Sequence, residues 1–396
     1  KLNIFNIPLF WFYQTGECIL SVGGKLYQIK KITLLNNLLV MLRINLFLLL
    51  FALVIQGTAS SSIETKKPDG RKKKQPRNIV LMIGDGMGTA QVYTALTAKH
   101  GQLNMARFPY SGFVKTYSAD SYITDSGAGS TAYSTGQKTN NGYVGVGPSG
   151  EKLETILESA EANNLATGLV ATSAITDATP ASFIAHTSNR GKMEGIALDF
   201  LKTDIDVFIG GGYSYFARRS DSLNLLDSLR NRGYFVARDL KDVDIPTVTR
   251  LAALLADGPL PRMAAGRKET LGESADIAIK MLKRNKKGFF LMIEGSQIDW
   301  GGHDNILDYV IEETVDFDNV VGKVLDFAMK DKETLVIVTA DHETGGIAIT
   351  DGDMETGKVS ASFAVKDHTA VMVPIFAYGP GAERFTGIME NTDVNK

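Results

Sequence analysis

At 396 residues, 44% of them hydrophobic and 22% charged, the chain has the make-up of a folded protein with a large core, which excludes disorder throughout. A formal charge of -2 provides no overall field for gathering nucleic acid, so nucleic acid is not expected among its partners.

Residues 1–40 begin at Lys1 and show neither a clean hydrophobic period nor turn logic, so they read as translation upstream of a start at Met41. In MLRINLFLLLFALVIQGTASSS, basic Arg43, an apolar run from Leu46 to Ile55 and small residues from Gly57 to Ala59 follow the order of a secretory signal peptide. Residues 41–59 are therefore expected to direct export, to the periplasm or outside. A membrane anchor is the alternative, but about 20 apolar residues are needed to span a bilayer, so no stable span is expected. Cys18 is the only cysteine and precedes this segment, which leaves the exported part without disulfides. A chain with a full core does not need them. Residues 60–77, which include KKPDGRKKKQPR, read as a solvated basic linker.

From Asn78 to Lys396 the pattern is that of one catalytic-type domain. NIVLMIGDGMG, residues 78–88, is a buried-type strand ending in Asp85. In YITDSGAGSTAYSTGQKTNNG, residues 122–142, small residues around Ser126 would let a helix start close to a bulky anion, which helix N-termini favour. Taken alone, Ser126 fits an N-cap of a tightly packed helix equally well. EKLETILESAEANN, residues 151–164, carries an apolar stripe at Leu153, Ile156, Leu157 and Ala160 and reads as a packing helix. DVFIGGG, residues 206–212, reads as a strand and turn, and residues 213–265 as further alternating units. TLGESADIAIKMLKRNKKG, residues 270–288, predicts a second packing helix with a capping box from Thr270 and Glu273.

GFFLMIEGSQID, residues 288–299, is another buried-type strand, ending in Glu294. In the following IDWGGHDN, Asp299 and His303 are four apart and share one face if the segment is helical. TLVIVTADHETGG, residues 334–346, places a strand over Leu335 to Val338 with Asp341 and His342 at its carboxyl end. A plain turn is the other reading of that Asp-His pair. His368 stands in KDHTAVMVPIFAYGPG just before an apolar run, while His100 and His186 read as structural. Three strands that each end in a carboxylate suggest one shared site, and imidazole with carboxylate suits zinc in a nitrogen and oxygen site.

In combination and in this order, the segments resemble those of alkaline phosphatases over nearly all of residues 78–385. The resemblance implies a three-layer α/β/α sandwich around a central, mostly parallel sheet, and hydrolysis of phosphate monoesters by a homodimer. It implies two Zn2+ ions, one held by Asp299, His303 and His368 and the other by Asp85, Asp341 and His342. One Mg2+ would be held by Asp85, Thr179 and Glu294, with Asp177 in its outer shell, these last matches coming from TDATPASF, residues 176–183. Ser126 matches the nucleophile that forms a phosphoserine, and Arg190 in AHTSNRG matches the phosphate-binding arginine, whose planar fork suits two phosphate oxygens.

The chain departs from the family at Trp300, where well-known bacterial members have lysine and mammalian ones histidine, although Asp177 follows the bacterial pattern. This mixture bears on magnesium affinity and phosphate release, not on the reaction class. The short interval from Glu343 to His368 predicts only a small insertion over the site, and TGIMENTDVNK after Phe385 lacks the closing helix expected of the family, as in a chain cut at its C-terminus. Two rival functions are a phosphodiesterase or sulfatase of the same superfamily and a non-catalytic phosphate-binding scaffold. TDSGAG lacks the proline and arginine of a sulfatase site, and Ser126 with Arg190 points to monoesters.

Overall fold

A computed structural model describes Phe10–Gln14, Glu17–Val22, Lys25–Ile29 and residues 75–396. The chain divides into two compact units, Lys1–Arg71 and Lys72–Lys396. In the first, the three short strands form an antiparallel sheet with Phe10 opposite Ser21 and Cys18 opposite Ile29. The sequence pattern did not predict these strands. The proposed signal peptide at 41–59 and nearly all of the linker at 60–77 lie outside the described residues.

The second unit is built on a ten-stranded sheet. Its order is Gly387–Glu390, Tyr110–Lys115, Val373–Tyr378, Thr334–Thr339, Asn78–Gly84, Phe289–Gly295, Ala166–Ala174, Val207–Gly211, Arg250–Leu254 and Tyr234–Ala237. Neighbours run parallel except at Val373–Tyr378, which is antiparallel to both strands beside it. The central strands are buried along their whole length, as continuous apolar runs require when helices cover both faces. This is the expected α/β sandwich. Among the described residues, no helix is long and apolar enough to cross a membrane.

Some local details differ from the sequence reading. The first packing helix starts only at Ile156, with Thr155 as its cap and Glu158 closing a capping box. Leu153 lies before it because residues 151–153 are drawn into extended pairing, Lys152 bridging Val146 and Leu153 N–H donating to Gly145. The capping box expected from Thr270 and Glu273 does not form. Thr270 is already inside its helix, Thr270–Leu282, and its hydroxyl donates to the Arg267 carbonyl at 2.5 Å. After Phe385, Gly387–Glu390 adds an edge strand, and Asn395 ties the following turn to the Tyr133 and Ser134 carbonyls. Between Glu343 and His368 the small insertion is a hairpin, Ile347–Asp353 paired with Lys358–Phe363.

Candidate active site

Sheet register brings the strand-end carboxylates to one edge. Ile83 is level with Glu294 on one side and Thr339 on the other, so Asp85, Glu294 and Asp341 emerge together. The chain turns after Asp85 through Gly86, whose φ of 72° suits glycine. Gly86 N–H donates to Asp341 Oδ1 at 3.3 Å, and a side chain there would come within 2.7 Å of the Asp299 Cα. The Gln297–Asp304 helix is thereby seated directly over the turn.

That helix presents Asp299 and His303 on one face, as their spacing predicted. Asp299 Oδ1 lies 3.3 Å from His303 Nε2 and 3.6 Å from His368 Nε2, and the two imidazole Nε2 atoms are 3.2 Å apart. Each ring contacts a carbonyl through Nδ1, His303 that of Lys366 at 2.8 Å and His368 that of Thr124 at 2.9 Å. A carbonyl can only accept, so each Nδ1 carries a proton, and the nitrogen each ring leaves to bind a ligand is the inward-facing Nε2. Two lone pairs and a carboxylate aimed at one point call for a cation. Without a metal, a proton serves, and the Asp299 hydrogen bond raises His303 to about 9. Burial works against ionised Asp299, but the His303 bond leads the influences that outweigh it and hold its carboxyl at about 2.

The second cluster is fully buried. His342 Nε2 stands 3.2 Å from Ser126 Oγ, 3.4 Å from Asp85 Oδ1 and 3.5 Å from Asp341 Oδ2. Asp85 Oδ1 and Asp341 Oδ2 accept no hydrogen bond, although such buried oxygens ordinarily do. Asp85, Asp299 and His342 lie close enough to share one ion, as do Asp299, His303 and His368. Burial, followed by the field of Asp341, pushes Asp85 far above the usual carboxylate range. Burial and the field of Asp299 raise Asp341 to about 6. Burial and His368 push His342 well below its ordinary value, so its ring is neutral and able to ligate. The donor set therefore fits cations that prefer nitrogen and oxygen.

Asp341, expected beside Asp85 and His342, is buried next to them but falls outside those two groups, as do Glu294 and Thr179. Thr179 Oγ1 has no hydrogen-bond partner, and Glu294 accepts from Ser173 Oγ at 3.2 Å. Burial pushes Glu294 up to about 8, further raised by Asp177 and Asp341. Asp177 caps the short Ala178–Ala181 helix and lies 3.4 Å from Arg190. Trp300 is half-buried on the helix that carries Asp299.

Ser126 is the first residue of the Ser126–Thr135 helix and Asp125 is its cap, so Ser126 is not itself the cap. Asp125 Oδ1 accepts from Ala128 N–H, while Oδ2 accepts from Gly142 N–H and from the Arg190 guanidinium, both at 2.9 Å. One carboxylate thus fixes the serine helix and the arginine together, a role that the sequence did not signal. Burial opposes the charge of Arg190, but Asp177 and Asp125 outweigh it and keep the guanidinium protonated. At Gly129 an added Cβ would lie 2.9 Å from the Asp341 carbonyl, which shows how closely the serine helix approaches the ligand loop. His186 is structural as expected, its ring bonded to the Gly145 carbonyl and Glu158. His100 contacts the Met354 carbonyl away from the cluster.

A family model described as alkaline phosphatase matches residues 76–363. The chain is 32% identical to alkaline phosphatase 3 of Bacillus subtilis (strain 168), over 88% of this chain and 94% of that protein. It is 32% identical to the alkaline phosphatase of Escherichia coli (strain K12), over 82% and 86%. Among solved structures, the alkaline phosphatase from the Antarctic bacterium TAB5 is similar at 42% identity with a TM-score of 0.78, covering 81% of this chain and 97% of that one. A variant of that protein with Mg bound is similar at 41% identity and the same TM-score, over 82% and 97%.

Proposed function

The chain belongs to the alkaline phosphatase family and hydrolyses phosphate monoesters, and from that premise we propose that Ser126 is its nucleophile and Arg190 its phosphate clamp. The observation that carries this reading is the position of Ser126 Oγ, at a helix N-terminus and 3.2 Å from a neutral imidazole, beside Asp85 Oδ1 and Asp341 Oδ2, which accept no hydrogen bond.

Asp299, His303 and His368 would hold one zinc, and Asp85, Asp341 and His342 a second. Asp85, Thr179 and Glu294 would hold a magnesium, with Asp177 beyond them. Bound there, the cations supply positive charge that favours an ionised serine and stabilises negative charge on the reacting oxygens. The serine helix directs its N-terminal N–H groups at the phosphate, and Arg190, oriented by Asp125 and Asp177, offers two N–H groups to its oxygens. The Ser126 Oγ–P bond forms as the ester P–O bond breaks and the alcohol leaves. Water then attacks the phosphoserine, releasing phosphate and restoring the serine.

Release of nitrophenol from p-nitrophenyl phosphate tests the assignment. Turnover that needs metal and drops on the order of 10³-fold or more in Ser126→Ala supports it; preference for a competing phosphodiester, bis-p-nitrophenyl phosphate, or metal uptake without turnover, overturns it. Export, supported by the pattern around Arg43 and Leu46 to Ile55, and a homodimer, implied by the family, belong to the same proposal. Cell fractionation and sedimentation test them.

A further inference from the structure

Thr344 is fully buried and lies between the two candidate ligand groups. Its Oγ1 is 2.5 Å from Asp299 Oδ1 and 3.2 Å from His342 Nδ1. We propose that Thr344 is a positioning residue that ties the two groups together, its hydroxyl accepting the Nδ1 proton of His342 and donating its own to Asp299. The inference rests on reading Asp299 and His342 as ligands of different cations.

The direction of these bonds follows from the groups themselves. An ionised carboxylate can only accept, so the hydroxyl proton goes to Asp299 and a hydroxyl lone pair remains for His342. His342 must then carry its proton on Nδ1. That leaves the Nε2 lone pair facing Ser126 and Asp85, where a ligand is needed. The opposite tautomer would put a proton there instead.

The backbone holds Thr344 where this arrangement requires it. Its N–H donates to the Gly86 carbonyl, one residue from Asp85, and its carbonyl accepts from Gln91 Nε2 at 2.8 Å. It pairs across strands with His368. Side chains added at Gly86 or Gly302 would lie 2.8 Å from Thr344 side-chain atoms, so both glycines make room for it. One hydroxyl thus touches a ligand of each group, and its backbone is bound to strands carrying two more. Partners of this kind orient ligands and set which nitrogen is free.

Thr344→Val keeps the branched shape and removes the hydroxyl, whereas Thr344→Ser keeps the hydroxyl. Zinc affinity is measured by competition with a chromogenic chelator, and the tautomer of His342 by ¹⁵N NMR of the chelated protein. The expected result is a loss of about 10- to 100-fold in affinity at both zinc sites in the valine variant, with recovery in the serine variant. Unchanged affinity at either site in a folded valine variant overturns the proposal. If that variant does not fold, a parent protein with His342 protonated on Nε2 overturns it equally. A parent that takes up no zinc overturns the ligand reading itself, and this is seen before any substitution is made.

Discussion

His303 and His368 face each other with Nε2 atoms 3.2 Å apart, while the Nδ1 of each ring is bonded to a main-chain carbonyl. The fold thus spends its own hydrogen bonds on holding two lone pairs together, an arrangement stable only around a positive charge. Metal removal should therefore change how stability depends on pH. In the chelated protein, His303 is raised from 6.5 to about 9 and Glu294 from 4.5 to about 8. Groups raised on folding stabilise below their unfolded values, and that contribution is lost as pH rises through their folded values. The chelated protein should lose melting temperature as pH rises from 6.5 to 9. With zinc and magnesium the fall should be much smaller, and a flat profile after chelation would refute the prediction.

Arg190 is oriented by two carboxylates, Asp125 and Asp177. Arg190→Ala should lower kcat/KM by about 10- to 100-fold, the worth of charge-assisted hydrogen bonds to phosphate. Arg190→Lys should recover only part, because a point charge cannot offer two parallel N–H groups. Steady-state kinetics with p-nitrophenyl phosphate and inhibition by inorganic phosphate check both, and full recovery with lysine would count against the clamp.

Gly129 is where the serine helix touches the ligand loop. Alanine normally favours a helix over glycine by about 1 kcal/mol, but here its Cβ would lie 2.9 Å from the Asp341 carbonyl. Gly129→Ala should separate Ser126 from His342 and reduce turnover on the order of 100-fold, the cost of a displacement near 1 Å. Unchanged turnover would show that the close approach is not needed.

Away from the site, buried Arg267 pairs with Glu313 and with Asp316 at 2.8 Å, and Glu313 also accepts from Met263 N–H at 2.9 Å. Arg267→Met leaves two carboxylates buried without a countercharge and should cost about 3–5 kcal/mol in urea unfolding. Replacing all three residues by apolar ones should recover most of that loss. If the triple variant is no more stable than the single one, the ion cluster itself is a net stabiliser.

The sequence by itself determined the strands that carry the site, because a parallel strand covered on both faces must be a continuous apolar run, and the run's end marks where the carboxylate emerges. Asp85, Glu294 and Asp341 were legible for that reason, and Asp299 with His303 because a four-residue spacing fixes a helical face. Only the tertiary structure decided the rest. The antiparallel course of Val373–Tyr378, the late start of the helix at Ile156 and the sheet over Phe10–Ile29 depend on pairing, which no local pattern encodes. Asp125 meets Arg190, and Thr344 meets Asp299, across long stretches of chain. Their side chains are ordinary turn and strand residues in the sequence, and their roles arise from the groups that sheet register places beside them.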